Sequence, residues 1–165
     1  EITLESDQIL GTKEFEIANL AKLKDDALKS IFSSKLSKAI DLGLDIKVEI
    51  LNLIGLPVSF SSLDFIRLVS NLLDNAIEAA NESEDEQLLI SYFKHDDTYV
   101  FILANSTKEK TDNIAQLFQT GVSSKGKDRG VGLAIVKKIL STYPNVRLNT
   151  SNQNGLFTQH LEVQE

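Results

Sequence analysis

The chain has 165 residues, of which 42% are hydrophobic and 25% charged, so it is long enough for one folded domain and has an ordinary globular composition. It contains no cysteine, which excludes disulfides, thiolate metal sites and cysteine nucleophiles. The net charge of −7 argues against direct nucleic-acid binding, because a phosphate backbone requires a basic face. No apolar run approaches the roughly 20 residues that cross a bilayer, so we expect no membrane contact by this chain. It begins at Glu1 and lacks methionine, and we expect it to be part of a longer protein.

The first part of the chain predicts a connecting segment, a helix and a strand. Residues 1–22 alternate polar and apolar side chains without clear turns, so we interpret them as a tail or linker and expect the domain proper to span residues 23–165. Apolar residues recur with a period of about 3.6 over residues 25–40, which predicts a helix, and Gly43 follows where a C-cap is expected. Alternation with period two over residues 46–51 predicts a strand.

A second helix is predicted over residues 61–81, where Ser61 and Asp64 resemble a capping box ahead of an apolar run. The polar side of this helix carries four residues at three- and four-residue steps: Asn71, Asp74, Asn75 and Glu78. Asparagine is a poor helix former, so two asparagines one turn apart require an explanation. For this helix taken alone, a solvated face is the simplest one.

The second half predicts a hairpin and a third long helix. We interpret the acidic run over residues 82–86 as a solvated loop. Residues 88–93 and 99–104 are rich in β-branched and aromatic side chains and flank a polar turn, so they predict a hairpin. A short helical turn is expected over residues 114–118, and apolar periodicity predicts a helix over residues 131–140.

A last hairpin is predicted from residues 146–150 and 156–163, because the Asn154-Gly155 pair between them is a strong turn signal. The predicted order is helix, strand, helix, two strands, helix, two strands. The simplest packing for this order is an α/β two-layer sandwich in which three helices cover one face of a mixed five-stranded sheet.

A glycine-rich, basic segment runs from Gly121 to Leu133 and leads into the third helix. It is not a Walker loop, because Asp128 stands where that loop needs serine or threonine, and because a helix is predicted where a strand should precede it. A dinucleotide fingerprint also fails, because no third glycine follows Gly130 and Gly132 at the required spacing.

Together, the asparagine helix and this segment supply the groups that a magnesium–nucleotide triphosphate requires. The amide oxygen of Asn75 is a neutral hard ligand suited to Mg²⁺, and Asn71, one turn earlier, could support the metal or a phosphate. Lys125 and Arg129 would make charge-assisted contacts to phosphates. The remaining candidate nucleotide-binding residues are Ser123, Ser124, Gly130, Gly132 and Leu133, where hydroxyls, backbone amides and the start of a helix would meet the phosphates.

These motifs resemble those of the GHKL ATPase superfamily, which includes the ATP-binding domains of sensor histidine kinases, gyrase-type and mismatch-repair ATPases, and certain serine kinases. Asn71-Leu72-Leu73-Asp74-Asn75-Ala76 resembles the N box, and the segment from Lys125 to Leu133 resembles the second glycine box with part of the nucleotide lid. The resemblance covers the chain from about residue 25 onward. It implies the three-helix, five-strand (Bergerat) sandwich of that family, with ATP and magnesium as ligands.

Asn71 indicates the branch of the superfamily. Hydrolytic members have a glutamate at this position that activates water, and an amide cannot act as a general base near neutral pH. The resemblance therefore implies the catalytic domain of a sensor histidine kinase, which presents the γ-phosphate to a histidine outside this chain. Neither His95 nor His160 suits that role or has metal-ligand spacing. The implied partners are the phosphoacceptor and dimerisation helices of the parent protein and a response regulator.

The first glycine box departs from the family pattern. The family has an aspartate that reads the adenine amino group, followed by two glycines, whereas here Asn105-Ser106-Thr107 follows the strand. Asn105 can accept that hydrogen bond through its side-chain oxygen, as a neutral bond in place of a charge-assisted one. The shortened box resembles that of the peptide-pheromone-sensing histidine kinases of Gram-positive bacteria, and so do Phe118, Ser123-Ser124-Lys125-Gly126 and Arg129-Gly130-Val131-Gly132-Leu133. This implies quorum sensing, a membrane-anchored parent and a cytoplasmic domain.

Two alternatives stay open. One is a GHKL serine kinase or ATPase with another acceptor, against which Asn71 argues. The other is a degenerate, non-catalytic GHKL interaction module, which the missing glycines after Asn105 favour. The presence of Asn75, Lys125 and the second glycine box argues against that module.

Overall fold

The computed structural model of the chain describes residues 18–108 and 127–165, and for residues 127–131 it describes the backbone alone. The elements in chain order are a 3-10 turn (Asn19–Lys22), α1 (Asp26–Asp41), β1 (Asp45–Glu49), α2 (Ser62–Glu82), β2 (Gln87–His95), β3 (Thr98–Ser106), α3 (Lys127–Thr142), β4 (Val146–Gln153) and β5 (Leu156–Gln164). This order confirms the predicted alternation of helices and strands. No helix within the described ranges has both the length and the apolar character needed to cross a membrane.

The five strands form one mixed sheet in the order β1-β2-β3-β5-β4. The β1–β2 pair is parallel, and the other three pairs are antiparallel. Helix α2 lies over β2 and β3, with α1 packed on its β1 side and α3 packed between it and β4. The predicted two-layer sandwich is therefore confirmed, and α2 occupies the central position in the helical layer.

Strand alternation explains why the helices pack on a single face. One row of paired residues crosses the sheet through Tyr92, Phe101, Leu161 and Leu148, and the first three of these are buried. They belong to the core that also contains the apolar residues of α2. Burial of apolar surface at roughly 25 cal/mol per Å² is the main force that holds the two layers together.

The predicted boundary residues Gly43 and Ser61 act as expected at the end of α1 and at the start of α2. Asp25 caps α1, since its carboxylate accepts a 2.8 Å hydrogen bond from the Leu28 N–H, and Gly43 after the helix has a φ of 87°. Ser61 caps α2 more loosely, with 3.5 Å between its hydroxyl and the Asp64 N–H.

Several boundaries and the burial of two residues differ from those predicted. Strand β3 continues through Ser106, because β5 pairs with it as far as Leu156. Helix α3 begins at Lys127 and not at residue 131; a glycine is inexpensive in the first turn, where N–H groups lack intrahelical partners. Ser83, in the acidic run predicted to be a solvated loop, is buried. Leu20, assigned to the tail, lies in the core, and residues 114–118 lie outside the described ranges.

Candidate nucleotide site

Asn71 and Gly132 lie against each other where α2 meets α3. The Nδ2 group of Asn71 donates a 2.8 Å hydrogen bond to the carbonyl oxygen of Arg67, one turn earlier in α2. The Oδ1 atom therefore faces away from that carbonyl, and it would lie only 3.3 Å from a Cβ atom at position 132. The two predicted motifs thus come together, and the close approach leaves little room for a side chain at position 132.

Asn75 lies one turn further along α2 and is half-buried. Its Nδ2 atom is shielded from solvent and has no hydrogen-bond partner among the described residues. A buried amide group without a partner costs roughly 1–3 kcal/mol, so such a group suggests a site that a ligand completes. This arrangement fits the amide chemistry of a magnesium–phosphate site, in which Asn75 supplies an oxygen ligand and its nitrogen a donor.

The two acidic residues of the same polar pattern turn toward α1. Asp74 forms an ion pair with Lys35 of α1. Asp74 and Glu78 line a groove of about 590 Å³ between α1 and α2 that also includes Lys38. The polar side of α2 is therefore divided, since Asn71 contacts α3 while Asp74 pairs with α1.

Asn105 lies near the end of β3, where it pairs in register with Leu88 of β2 and Phe157 of β5. Its side chain is buried, and its Nδ2 group donates a 3.0 Å hydrogen bond to the carbonyl oxygen of Ser106. The sequence placed Asn105 just after the strand. In the structure it is paired within the strand, one residue before the strand ends.

A buried pair of serines adjoins Asn105 and was not foreseen from the sequence. The hydroxyl oxygens of Ser83 and Ser106 are 2.6 Å apart, and the Gln87 N–H donates to the Ser106 hydroxyl at 2.8 Å. These bonds join the end of α2, the start of β2 and the end of β3. The sequence offers one signal for this pair, because Ser106 directly follows Asn105, the candidate base-reading residue. Nothing in the acidic run identifies Ser83 as its partner.

The structure describes the other predicted site residues unevenly. Leu133 is buried in α3. Arg129 and Gly130 belong to the first turn of α3, of which the backbone alone is described. Ser123, Ser124 and Lys125 lie outside the described ranges. Within those ranges, no group of three or more histidine or carboxylate residues is placed to hold a metal ion.

Comparison with known proteins finds one matching domain family and relatives that are sensor proteins. The sequence profile of the GHKL domain matches residues 60–164. The sensor histidine kinase DcuS of Escherichia coli is 30% identical over 145 residues, which cover 85% of this chain and 26% of DcuS. The sensor protein CitS of Bacillus subtilis is 32% identical over 113 residues, covering 67% of this chain and 21% of CitS. The chain thus spans about a quarter of the length of the curated relatives it matches.

Solved structures share the fold at low sequence identity. The catalytic domain of the histidine kinase ThkA superposes with a TM-score of 0.67 at 18% identity, over 83% of this chain and 89% of that one. The Acinetobacter baumannii histidine kinase AdeS gives a TM-score of 0.61 at 17% identity, over 82% of this chain and 64% of that one. The profile match covers well over half of the chain, and the chain therefore belongs to the GHKL domain family, in which the relatives named above are sensor proteins.

Proposed function

We propose that this chain binds ATP with magnesium between α2 and the segment leading into α3, and presents the γ-phosphate to a histidine carried elsewhere in its parent protein. The contact between Asn71 and Gly132 is the observation that carries this proposal, because it joins the N-box helix to the second glycine motif. GHKL domains of histidine kinases bind ATP, generally with magnesium, and the amide nitrogen of Asn75, which has no partner among residues 18–108 and 127–165, supports a ligand at this position.

In this proposal each residue of the site binds or orients the nucleotide. Asn75 holds the metal with help from Asn71, and Asn105 contacts the adenine. Lys125 and Arg129 contact the phosphates, as do the remaining predicted residues Ser123, Ser124, Gly130 and Gly132, with Leu133 anchoring the start of α3. Bound magnesium would neutralise phosphate charge, and phosphoryl transfer depends mainly on such positioning and electrostatic stabilisation.

Asn71 favours transfer over hydrolysis. Its Nδ2 is already committed to the Arg67 carbonyl, and its remaining amide oxygen is too weak a base to activate water near neutral pH. The serine kinase or ATPase alternative predicts that the isolated chain hydrolyses ATP or phosphorylates serine. The non-catalytic alternative predicts that it does not bind ATP.

The proposal extends to the parent protein. We place this domain on the cytoplasmic side of a membrane-anchored two-component sensor, with a response regulator as the final acceptor. Residues 1–22 would lead in from its phosphoacceptor and dimerisation helices, and Leu20 near the end of this segment already packs in the core of the domain. The relatives DcuS, CitS and a probable C4-dicarboxylate sensor kinase of Halalkalibacterium halodurans support a sensor of this general kind. The finer prediction of a peptide-pheromone sensor is not confirmed by these relatives.

Calorimetric titration of a non-hydrolysable ATP analogue with magnesium tests the site. We expect Asn75→Asp to weaken binding by about tenfold or more, because it loses the amide donor and adds a negative charge beside the phosphates while keeping an oxygen for the metal. Lys125→Ala should weaken binding to a similar extent, because it removes a charged contact to a phosphate. Asp74→Asn is the matched control on the same helix, because Asp74 pairs with Lys35, and it should leave the affinity unchanged.

Two results would contradict the proposal. Failure of the unmodified chain to bind at millimolar nucleotide would favour the non-catalytic module. Binding accompanied by ATP hydrolysis in the absence of any histidine acceptor would favour the ATPase alternative. Transfer of labelled γ-phosphate to added phosphoacceptor helices, with loss of transfer in Asn75→Asp, is the expected outcome.

A further inference from the structure

The middle of the sheet is apolar on both of its faces. Residues 99–104 of β3 are all aliphatic or aromatic. An antiparallel strand with one solvated face usually alternates apolar and polar side chains, whereas an uninterrupted apolar run is typical of a strand that is covered on both sides. The edge strand β1 does alternate, since Ile46 and Val48 are buried while their neighbours in the strand are exposed. The centre of the sheet is therefore suited to cover on the face turned away from α1, α2 and α3, called here the open face.

The apolar residues of the open face form one continuous strip on β2 and β3. In both strands they alternate with core residues such as Tyr92 and Phe101, and they lie outside the core that the described residues form beneath the helices. Leu89 is 37% exposed, which makes it one of the large apolar side chains that the described part of the chain leaves in water. The members of this apolar strip are Leu89, Phe93, Val100, Ile102 and Ala104.

The strip borders a groove that is open to a partner. The groove has a volume of about 500 Å³ and is lined by four residues of the strip together with Lys47, Glu49 and Thr158. Contiguous exposed apolar surface on a soluble domain commonly marks a place where another protein binds.

The charges around the strip suit a second copy of the same surface. The open-face positions of the strands carry five ionised residues: Asp45, Lys47, Glu49, Arg147 and Glu162. Two cations against three anions give this face a net charge of −1, out of −7 for the whole chain. On one side of the strip Lys47 lies 3.5 Å from Glu49, and on the other Arg147 is in register with Glu162. Because each side carries both signs, two copies can meet there with opposite charges adjacent and with little repulsion.

The open face is also large enough for a specific contact. Five strands about 4.8 Å apart and up to nine residues long, at about 3.3 Å per residue, make a face of roughly 24 by 30 Å. Contact over most of this face would bury about 600 Å² on each copy and about 1,200 Å² in total, which is the lower end of the standard size of protein interfaces.

We propose that the open face of the sheet is an interface between two copies of this chain, in which the apolar strips pack against each other as two sheets do in a sandwich. Removal of the side chains of Leu89, Phe93 and Ile102 from water is the driving force. The contact between Asn71 and Gly132 lies in the helical layer, on the opposite side of the sheet, so the dimer leaves the proposed nucleotide site open. The inference therefore does not depend on the proposed function.

Sedimentation equilibrium of the unmodified chain measures the association. We expect a dimer to form as the concentration is raised to about 300 μM, because an interface at the lower end of standard size gives weak to moderate affinity. Ile102→Lys should raise the dissociation constant by about tenfold or more, because the dimer would bury an unpaired ammonium group in the middle of the strip.

A matched control makes the same chemical change away from the strip. Val58, in the loop before α2, is 91% exposed, so Val58→Lys adds the same charge at another exposed apolar position and should leave the dissociation constant unchanged. Urea unfolding shows whether each variant is folded. If Ile102→Lys does not fold, Leu89→Lys replaces it, because Leu89 is the more exposed member of the strip and tolerates a charge more readily.

Cross-linking tests which face is in contact. The chain has no cysteine, so one introduced thiol reports a single position. Ser91 is in register with Ile102 at the middle of the open face, and a two-fold axis through that face brings it close to its counterpart. A bismaleimide with a reach of about 10 Å, the spacing of packed sheets, should link Ser91→Cys into dimers. Ser34→Cys, at an exposed position of α1, should stay unlinked.

Three results would overturn the inference. If the unmodified chain sediments as a monomer over the whole concentration range, another segment or another protein covers the strip. If folded Ile102→Lys and Leu89→Lys dimerise as the unmodified chain does, the dimer uses a different surface. If Ser34→Cys is linked and Ser91→Cys is not, the helical layer is the interface. None of these results bears on nucleotide binding, which the titration with ATP analogue measures separately.

Discussion

At the scale of single residues, the contact between Asn71 and Gly132 limits what can occupy the second turn of α3. A Cβ atom at position 132 would lie 3.3 Å from the Asn71 Oδ1 atom, which is closer than ordinary van der Waals contact. Asn71 is in turn bonded to the Arg67 carbonyl, so it can move aside only by straining that bond. The glycine therefore serves the relative placement of two helices and not the flexibility of a loop.

Gly132→Ala should consequently weaken nucleotide binding with little change in the free energy of unfolding. Alanine has a helix propensity higher than that of glycine by about 1 kcal/mol, which offsets the cost of the tight contact, so we expect the unfolding free energy to change by less than about 1 kcal/mol. Displacement of Asn71 should weaken ATP binding by about three- to tenfold. Urea unfolding and nucleotide titration measure the two quantities.

A second substitution is the control for this prediction. In Asn71→Ala the amide that obstructs the new methyl group is gone, so adding Gly132→Ala to that variant should not reduce ATP binding further. A full additional loss in the double variant would show that the effect of residue 132 does not pass through Asn71.

The buried contact between Ser83 and Ser106 could not be predicted from the sequence. Both lie in polar stretches that are typical of solvated loops, and their contact joins positions 23 residues apart. Local patterns report which side of a helix or strand is apolar, but a buried pair of hydroxyls depends on how two chain segments end next to each other. Asn71 and Asn75 could be recognised because both lie within one helix, where spacing determines direction.

At the scale of the elements, the hairpin of β4 and β5 depends on its two-residue turn. Asn154 and Gly155 have φ values of 55° and 78°, the left-handed conformation that the Asn-Gly pair adopts in tight hairpins. Gly155 also approaches the Thr107 carbonyl oxygen, which would lie 3.5 Å from an added Cβ atom. The turn therefore connects the last hairpin to the end of β3.

Gly155→Ala should destabilise the domain by roughly 1–2 kcal/mol, the cost of placing a side chain in the left-handed region. Gly55→Ala is the matched control, because no atom within 4 Å would meet its new methyl group and Gly55 is not among the positive-φ residues described. Urea unfolding of both variants measures the difference. Equal destabilisation by the two substitutions would contradict the role assigned to the turn.

The elements themselves could be predicted from the sequence because their signals are local. Periodicity located α1 and α2, Gly43 marked the end of α1, and the Asn154-Gly155 pair marked the turn between β4 and β5. The lengths of β2 and β3 were underestimated, since pairing with neighbouring strands extends them beyond the apolar residues. The early start of α3 was missed because its first turn carries glycine and charged residues, which do not show helical periodicity.

At the scale of the whole molecule, Tyr92 connects the sheet to the loop before α2. Its ring lies in the core between Phe65 of α2 and Phe101 of β3, with centroid distances of 6.1 and 6.0 Å. Its hydroxyl donates a 2.8 Å hydrogen bond to the carbonyl oxygen of Gly55. Burial raises the pKa of this phenol well above its ordinary value of 10.0, because the anion would lose its solvation in the core.

This raised pKa predicts how the stability of the domain depends on pH. Below about pH 10 the phenol is protonated in both the folded and the unfolded chain, so its contribution to stability is complete. Above that pH the unfolded chain releases the proton while the folded one retains it, so stability falls as the pH rises toward the folded-state pKa. The fall attributable to this one group is at most about 1.4 kcal/mol per pH unit.

Tyr92→Phe should therefore have opposite effects at neutral and alkaline pH. At pH 7 the variant loses the bond to Gly55 and should be less stable than the unmodified chain by about 1 kcal/mol. Above about pH 10 the unmodified chain loses stability faster, so the difference should shrink and then reverse. Urea unfolding across this pH range measures both curves. Curves that stayed parallel above pH 10 would mean that the phenol ionises as easily in the folded domain as in the unfolded chain, and that the core around Tyr92 opens to water.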